Sequence, residues 1–158
     1  ATKEVADLFG GEANYLRHVF TFAGHPVASA AALKSIEIIE NEGLVENAAE
    51  VGGYFREQLE GLMIDHPIIG DVRGLGLMLA LDLVSDRKTK DRFAPDQNVP
   101  GRLTEKFRNH GLLLRVSDEI VHIGPPLSIT RDEVDEIVHA IDLSLWELEG
   151  DLGTAIMA

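Results

Sequence analysis

Ile68-Ile69-Gly70-Asp71-Val72-Arg73-Gly74-Leu75-Gly76-Leu77-Met78-Leu79-Ala80-Leu81-Asp82-Leu83-Val84 is the stretch that decides the fold. Apolar residues fill both halves, and the glycines at 74 and 76 punctuate the middle. Two strands joined by a glycine-rich turn fit this pattern best. The competing reading is the start of a dinucleotide fingerprint at Gly74-Leu75-Gly76. Its third glycine position holds Leu79, and the segment that follows reads as strand rather than helix, so a Rossmann phosphate loop does not fit.

Outward from this hairpin the periodicity is helical on both sides. His25-Pro26 opens a helix that runs through Ala28, Ala30, Ala31, Ala32, Leu33, Ile36, Ile38 and Ile39. Proline suits the first helical position, and Gly43 supplies a left-handed stop. Its wide apolar stripe predicts substantial burial. A second helix over about 44–64 spaces Leu44, Ala48, Val51, Phe55, Leu59, Leu62 and Met63 for one buried face, although Gly52-Gly53 weakens it by roughly 1 kcal/mol per glycine. Residues 1–9 read as a short helical piece broken at Gly10-Gly11, and 12–24 as a loop or short strand carrying Val19, Phe20, Thr21 and Phe22.

Downstream, 85–98 is a polar surface loop, and a helix over about 99–110 turns Leu103 and Phe107 inward. Leu112–Val116 and Glu119–Ile123 flank Ser117-Asp118 as a second hairpin, stopped by Gly124-Pro125-Pro126. Thr130 with Glu133 has capping-box spacing and starts a last helix that buries Val134, Ile137, Val138, Ile141, Leu145 and Trp146. Residues 149–158 read as a frayed tail. Hairpins mixed with helices, without regular alternation, give an α+β class: a small, mostly antiparallel sheet backed by helices.

Composition narrows the chemistry. The chain has 158 residues, 27 acidic against 14 basic side chains, a formal charge of -13 and no cysteine. Its length suits one domain, or one domain with a piece of a second. The acidic balance argues against nucleic acid and anionic membrane as partners. Disulfides, thiolate catalysis and thiolate metal centres are excluded. No apolar run approaches the ~20 residues of a membrane helix, and no basic-then-apolar signal opens the sequence. A soluble, cytoplasmic protein is the expectation. The six histidines never form a close pair at ligand spacing, so no metal site is expected. Ser29, on a helix and without a glycine elbow, reads as a small packing residue.

Three segments carry a resemblance. Thr21-Phe22-Ala23-Gly24-His25-Pro26-Val27-Ala28-Ser29-Ala30-Ala31-Ala32-Leu33, then Gly70-Asp71-Val72-Arg73-Gly74-Leu75-Gly76-Leu77-Met78, then Pro125-Pro126-Leu127-Ser128-Ile129-Thr130 occur in this order. Together they resemble the C-terminal part of class III aminotransferases, pyridoxal-phosphate enzymes of fold type I, over about Ala1 to Leu148.

The resemblance implies specific roles. Thr21 matches a threonine that contacts the cofactor phosphate across a homodimer interface, in the partner subunit's site. A hydroxyl beside a glycine-containing turn at a helix start suits a phosphate, while the plainer reading is a local turn cap. Arg115 matches an arginine that pairs with a substrate carboxylate in the amine and ω-amino-acid branch, and guanidinium suits carboxylate because it binds in a bidentate manner. The plainer reading is a surface ion pair with Asp118 or Glu119. His122 stands where ornithine-type enzymes carry an arginine for the α-carboxylate. This departure moves the expected donor toward an amine or ω-amino acid, with a 2-oxo acid as acceptor. His25, with histidine rather than asparagine before Pro26, points the same way. Arg73 reads as structural, tying its turn to the core.

The Schiff-base lysine of the family lies upstream of its matching segment, and none of Lys3, Lys34, Lys88, Lys90 and Lys106 fits its motif. The implied organisation is a remnant of the large cofactor-binding domain over 1–24, a small domain with its linking helix over 25–148, and the tail. A chain so composed is expected to be inactive alone. The alternative is a stand-alone, non-catalytic α+β module serving assembly or small-anion binding.

Overall fold

A computed structural model describes residues 2–10, 15 and 20–153. The chain forms two units, 1–38 and 39–158. In the first, α1 (Lys3–Asp7) is capped by Thr2, whose hydroxyl accepts from the Val5 N–H, and Lys3 pairs with Asp7 at 2.6 Å. Residues 21–24 form a turn, closed by the Ala23 N–H on the Phe20 carbonyl. α2 (Pro26–Asn41) starts at the expected proline and crosses into the second unit.

The expected burial of α2 does not hold: none of its residues is buried, and Val27 and Leu33 are about seven-tenths exposed. An apolar stripe records what a helix would cover. It becomes core only where another surface meets it, and the described residues supply none here.

The second unit is a four-stranded antiparallel sheet covered on one face by helices. Its strands are β1 (Ile69–Leu75), β2 (Met78–Leu83), β3 (Arg115–Ser117) and β4 (Ile120–Ile123), in the order β1-β2-β4-β3. The first hairpin pairs Val72 with Leu81 and Leu75 with Met78, leaving Gly76-Leu77 as the turn. The second pairs Ser117 with Ile120 around Asp118-Glu119, with Asp118 at a positive φ of 48°. Leu112–Leu114, expected in this hairpin, precede the strand without joining it.

Period-two alternation sends Val72, Leu79, Leu81, Leu83, Val121 and Ile123 to the covered face, where all are buried. Against them lie α3 (Leu44–Leu62) through Val51, Phe55 and Leu59, α4 (Val99–Asn109) through Leu103 and Phe107, and α5 (Arg131–Leu152) through Val134, Ile141, Leu145 and Leu148. Each fully buried phenylalanine or leucine contributes about 2–3 kcal/mol. Polar links fix the helices to one another. Lys106 and Arg102 on α4 reach Asp151, and Tyr54 donates to Asp135 at 2.6 Å. The Asn47 amide donates to the carbonyls of Leu127 and Ile129, tying the segment after Pro125-Pro126 to α3.

Three further details differ from the sequence reading. Residues 149–152 are not a frayed tail: α5 runs to Leu152, buries Leu148 and Glu149, and ends at Gly153 with φ 69°. The tail read as unpatterned because an acidic residue and a glycine interrupt its hydrophobic spacing. Residues 154–158 lie outside the described residues. Trp146 is about half exposed rather than buried. The loop from 85 to 98 buries Phe93 and contains a short 3-10 turn (Pro95–Gln97). Arg87 anchors this loop by donating to the carbonyls of Ile69, Met63 and His66.

Gly52 and Gly53 play different parts in α3. A Cβ on Gly52 would overlap the backbone of Gly76 in the hairpin turn, whereas one on Gly53 would meet open space. Gly52 is therefore a point of backbone contact, and Gly53 carries only the helix penalty. In chemical denaturation, Gly52→Ala should lose about 1–3 kcal/mol through this overlap, and Gly53→Ala should gain up to roughly 1 kcal/mol. Equal effects would show that the hairpin does not rest on the helix.

Candidate functional site

The same alternation that fills the core leaves the other face of the sheet open. Asp71 and Arg73 on β1, Met78, Ala80 and Asp82 on β2, Ile120 and His122 on β4, and Arg115 and Ser117 on β3 share it. Register places four of them in one row, since Arg73 pairs with Ala80, Ala80 with His122, and His122 with Arg115. A cleft of about 520 Å³ lies along the Arg73, Ala80 and His122 part of the row, lined also by Gly74, Met78 and Gly124 among others.

The two arginines of the row differ. Arg73 bonds Asp82 at 2.8 Å and reaches Asp71 at 3.4 Å. Arg92, from the loop after β2, adds a bond to the same Asp82 carboxylate and another to the Leu83 carbonyl. Asp82 is thus clamped by two guanidinium groups. Burial pushes its carboxyl up, but the bonds from Arg92 and Arg73 outweigh this and hold it below the usual aspartate range. The expected tie of Arg73 from its turn to the core is not formed; its pairs run instead across the open face of the sheet, to Asp82 and Asp71.

Arg115 stands at the first residue of the edge strand β3. It is exposed, and it makes no ion pair or hydrogen bond among the described residues; the alternative pairing with Asp118 or Glu119 is not formed. Its neighbour His122 bonds Ser117 through Nε2 at 2.7 Å. The row therefore offers one guanidinium unpaired among the described residues and, next to it, an imidazole that lines the cleft, an arrangement suited to an anionic group.

Thr21 lies in the first unit. It is exposed at the head of the 21–24 turn, and Gly24 has φ 74°. The His25 Nδ1 accepts from the Ala28 N–H at 3.4 Å, so His25 caps α2, as a helix-start residue should. Pro26 has no N–H, and the Val27 N–H, one of the first-turn donors without an intrahelical acceptor, has no partner among the described residues. A hydroxyl, an open N–H and a helix N-terminus fit a phosphate contact.

The lysines do not fit covalent attachment of a cofactor. Lys3, Lys34 and Lys106 are held by acidic neighbours, Lys90 donates to the Gly70 carbonyl, and Lys88 is exposed. One polar cluster escaped the sequence reading altogether. His66 is buried between Asp142 and Glu149 of α5, beside Trp146. The available signal was the i, i+4, i+7 spacing of Asp142, Trp146 and Glu149 on one helix face.

A four-stranded antiparallel sheet backed by helices matches a portion of fold type I transaminases. An amine transaminase from an uncultivated Pseudomonas species, solved in its pyridoxal-phosphate-bound form, superposes with a TM-score of 0.85 at 38% identity, over 92% of this chain and 34% of that one. The family model for class-III aminotransferases matches residues 1–145, and the chain belongs to that family. Its relatives include the uncharacterized aminotransferase y4uB of Sinorhizobium fredii, 46% identical over 77% of this chain and 26% of that protein. Another is the putrescine–pyruvate aminotransferase of Pseudomonas aeruginosa, 38% identical over 82% and 27%. The chain thus spans about a third or less of the length of these relatives. Pyridoxal phosphate is the cofactor of the family. Among the described residues, no helix is long and apolar enough to cross a membrane.

The clamp on Asp82 gives a direct test. Asp82→Asn should cost about 1 kcal/mol at neutral pH, a modest value because both arginines are half exposed. A depressed carboxyl stabilises above its unfolded value near 3.8 and loses that contribution as pH falls through its lower folded value. The difference between the two proteins in urea midpoints should therefore persist from pH 7 down to about 4 and close only below that.

Proposed function

We propose that this chain serves as the C-terminal portion of a pyridoxal-phosphate aminotransferase that moves an amino group from an amine or ω-amino acid to a 2-oxo acid. The observation that carries this reading is Arg115: an exposed guanidinium, unpaired among the described residues, next to His122 on the open sheet face of a chain whose family is established. The putrescine–pyruvate relative supports the amine side of the assignment. Small coverage of the relatives supports a part rather than a whole.

In this reading, 25–148 is the small domain and 1–24 a piece of the large one. Arg115 receives a substrate carboxylate and turns away for an uncharged donor. His122 stands beside Arg115 without the fixed charge that an arginine at that place would bring. Thr21 and the α2 N-terminus hold the cofactor phosphate in the site of a neighbouring subunit, which makes the working assembly a homodimer. The cofactor, when bound, supplies the electron sink for transamination. Covalent attachment needs a lysine that this chain does not offer, so the chain is inactive by itself.

Two measurements test this. After incubation with pyridoxal phosphate and dialysis, the 158-residue chain should retain no stoichiometric absorbance of bound cofactor; retention would mean that one of its lysines serves. In an enzyme carrying this segment, Arg115→Ala should lower kcat/KM for a carboxylate-bearing donor by roughly 10- to 100-fold. The same change should leave a plain amine nearly unaffected. Equal losses on both would remove Arg115 from substrate recognition.

A further inference from the structure

Away from the open face of the sheet, a buried cluster of titratable groups surrounds His66. Its ring has no solvent exposure. Nδ1 lies 2.8 Å from Oε2 of Glu149, and Nε2 lies 2.7 Å from Oδ1 of Asp142. An ionised carboxylate only accepts. Both contacts are hydrogen bonds together only when both ring nitrogens carry protons. The neutral ring has one N–H, so one carboxylate would then face a bare lone pair.

The two carboxylates are not equivalent. The Glu149 side chain is buried, with 2% of its surface exposed, while that of Asp142 keeps 31%. Water can solvate Asp142 if it is released, but not Glu149. A neutral ring therefore keeps its proton on Nδ1, toward Glu149, and gives up the bond to Asp142. These three groups do not make a metal site.

The surroundings of the ring are defined on each side. Asp142 and Glu149 face it from α5, together with the edge of Trp146, whose ring centre is 5.4 Å away at 71°. From the loop after β2 comes Arg87, whose guanidinium donates to the backbone carbonyls of Met63, His66 and Ile69. Arg87 fixes the segment in place at any pH, and its charge opposes that of the ring. The neighbouring Asp65 is exposed. Burial pushes the imidazole down, but the bonds to Glu149 and Asp142 outweigh it and hold His66 above its ordinary value of 6.5.

We propose that His66, Asp142 and Glu149 form a proton-operated latch. The doubly protonated ring pins the second half of α5 to the connection between α3 and β1. Loss of the Nε2 proton to solvent frees Asp142 and loosens that half of the helix. Because the folded ring binds its proton more tightly than the unfolded chain, the latch is fully closed below pH 6.5 and opens as pH rises through the higher folded midpoint.

Trp146 is the only tryptophan and reports on the ring directly, since imidazolium quenches a neighbouring indole. Titration of the chain between about pH 6 and 9.5 should give a single rise in emission with its midpoint above 6.5. Amide protection over Asp142–Leu152, corrected for intrinsic exchange, should fall in the same step. The fall should be roughly tenfold for every unit by which the midpoint exceeds the unfolded one. His66→Gln keeps one donor and one acceptor but cannot titrate, and should abolish both changes. Asp142→Asn should fold and move the midpoint down. Flat emission, a midpoint at or below 6.5, an unmoved midpoint in Asp142→Asn, or a step that survives His66→Gln would each overturn the latch.

Discussion

One constraint governs the second unit: a small antiparallel sheet can hide only one of its faces. α3, α4 and α5 cover the face carrying Val72, Leu79, Leu81 and Val121, and the side chains between them must point the other way. A slip of one residue in any strand would carry its apolar set out of the core. Burial therefore fixes register, and register fixes which residues share the open face. The row from Arg73 through Ala80 and His122 to Arg115 is a product of core packing as much as of site chemistry.

This dependence explains what the sequence made legible. The two hairpins, the caps at Gly43 and Thr130, and the inward residues of α3 and α4 follow from local rules of spacing and turn chemistry. The family resemblance named Arg115 and Thr21, and pairing then showed that Arg115 stands next to His122. What could not be read were features set by distant partners. Nothing local says that Gly52 touches Gly76, or that His66 lies between residues of the last helix. The apolar stripe of α2 misled for the converse reason: periodicity registers a helix's capacity for burial and is silent on whether a cover exists.

Charge is organised in a way that net charge conceals. The chain is strongly acidic, yet Arg115, without an ion pair among the described residues, sits on the open sheet face. The acidic residues there are neutralised locally, with Asp82 absorbing both Arg73 and Arg92. Arg115 is left with no such neighbour. A surface rich in carboxylates elsewhere discourages indiscriminate anion binding, and the pairs around Asp82 leave the Arg115 guanidinium available.

The contact between Gly52 and Gly76 ties a helix to a hairpin tip through bare backbone. The tether is one-sided: a Cβ on Gly52 would strike the Gly76 backbone, while a Cβ on Gly76 would meet the Ala48 carbonyl instead. The helix position is therefore the stricter of the two, and the hairpin tip borrows its placement from a residue that must stay bare.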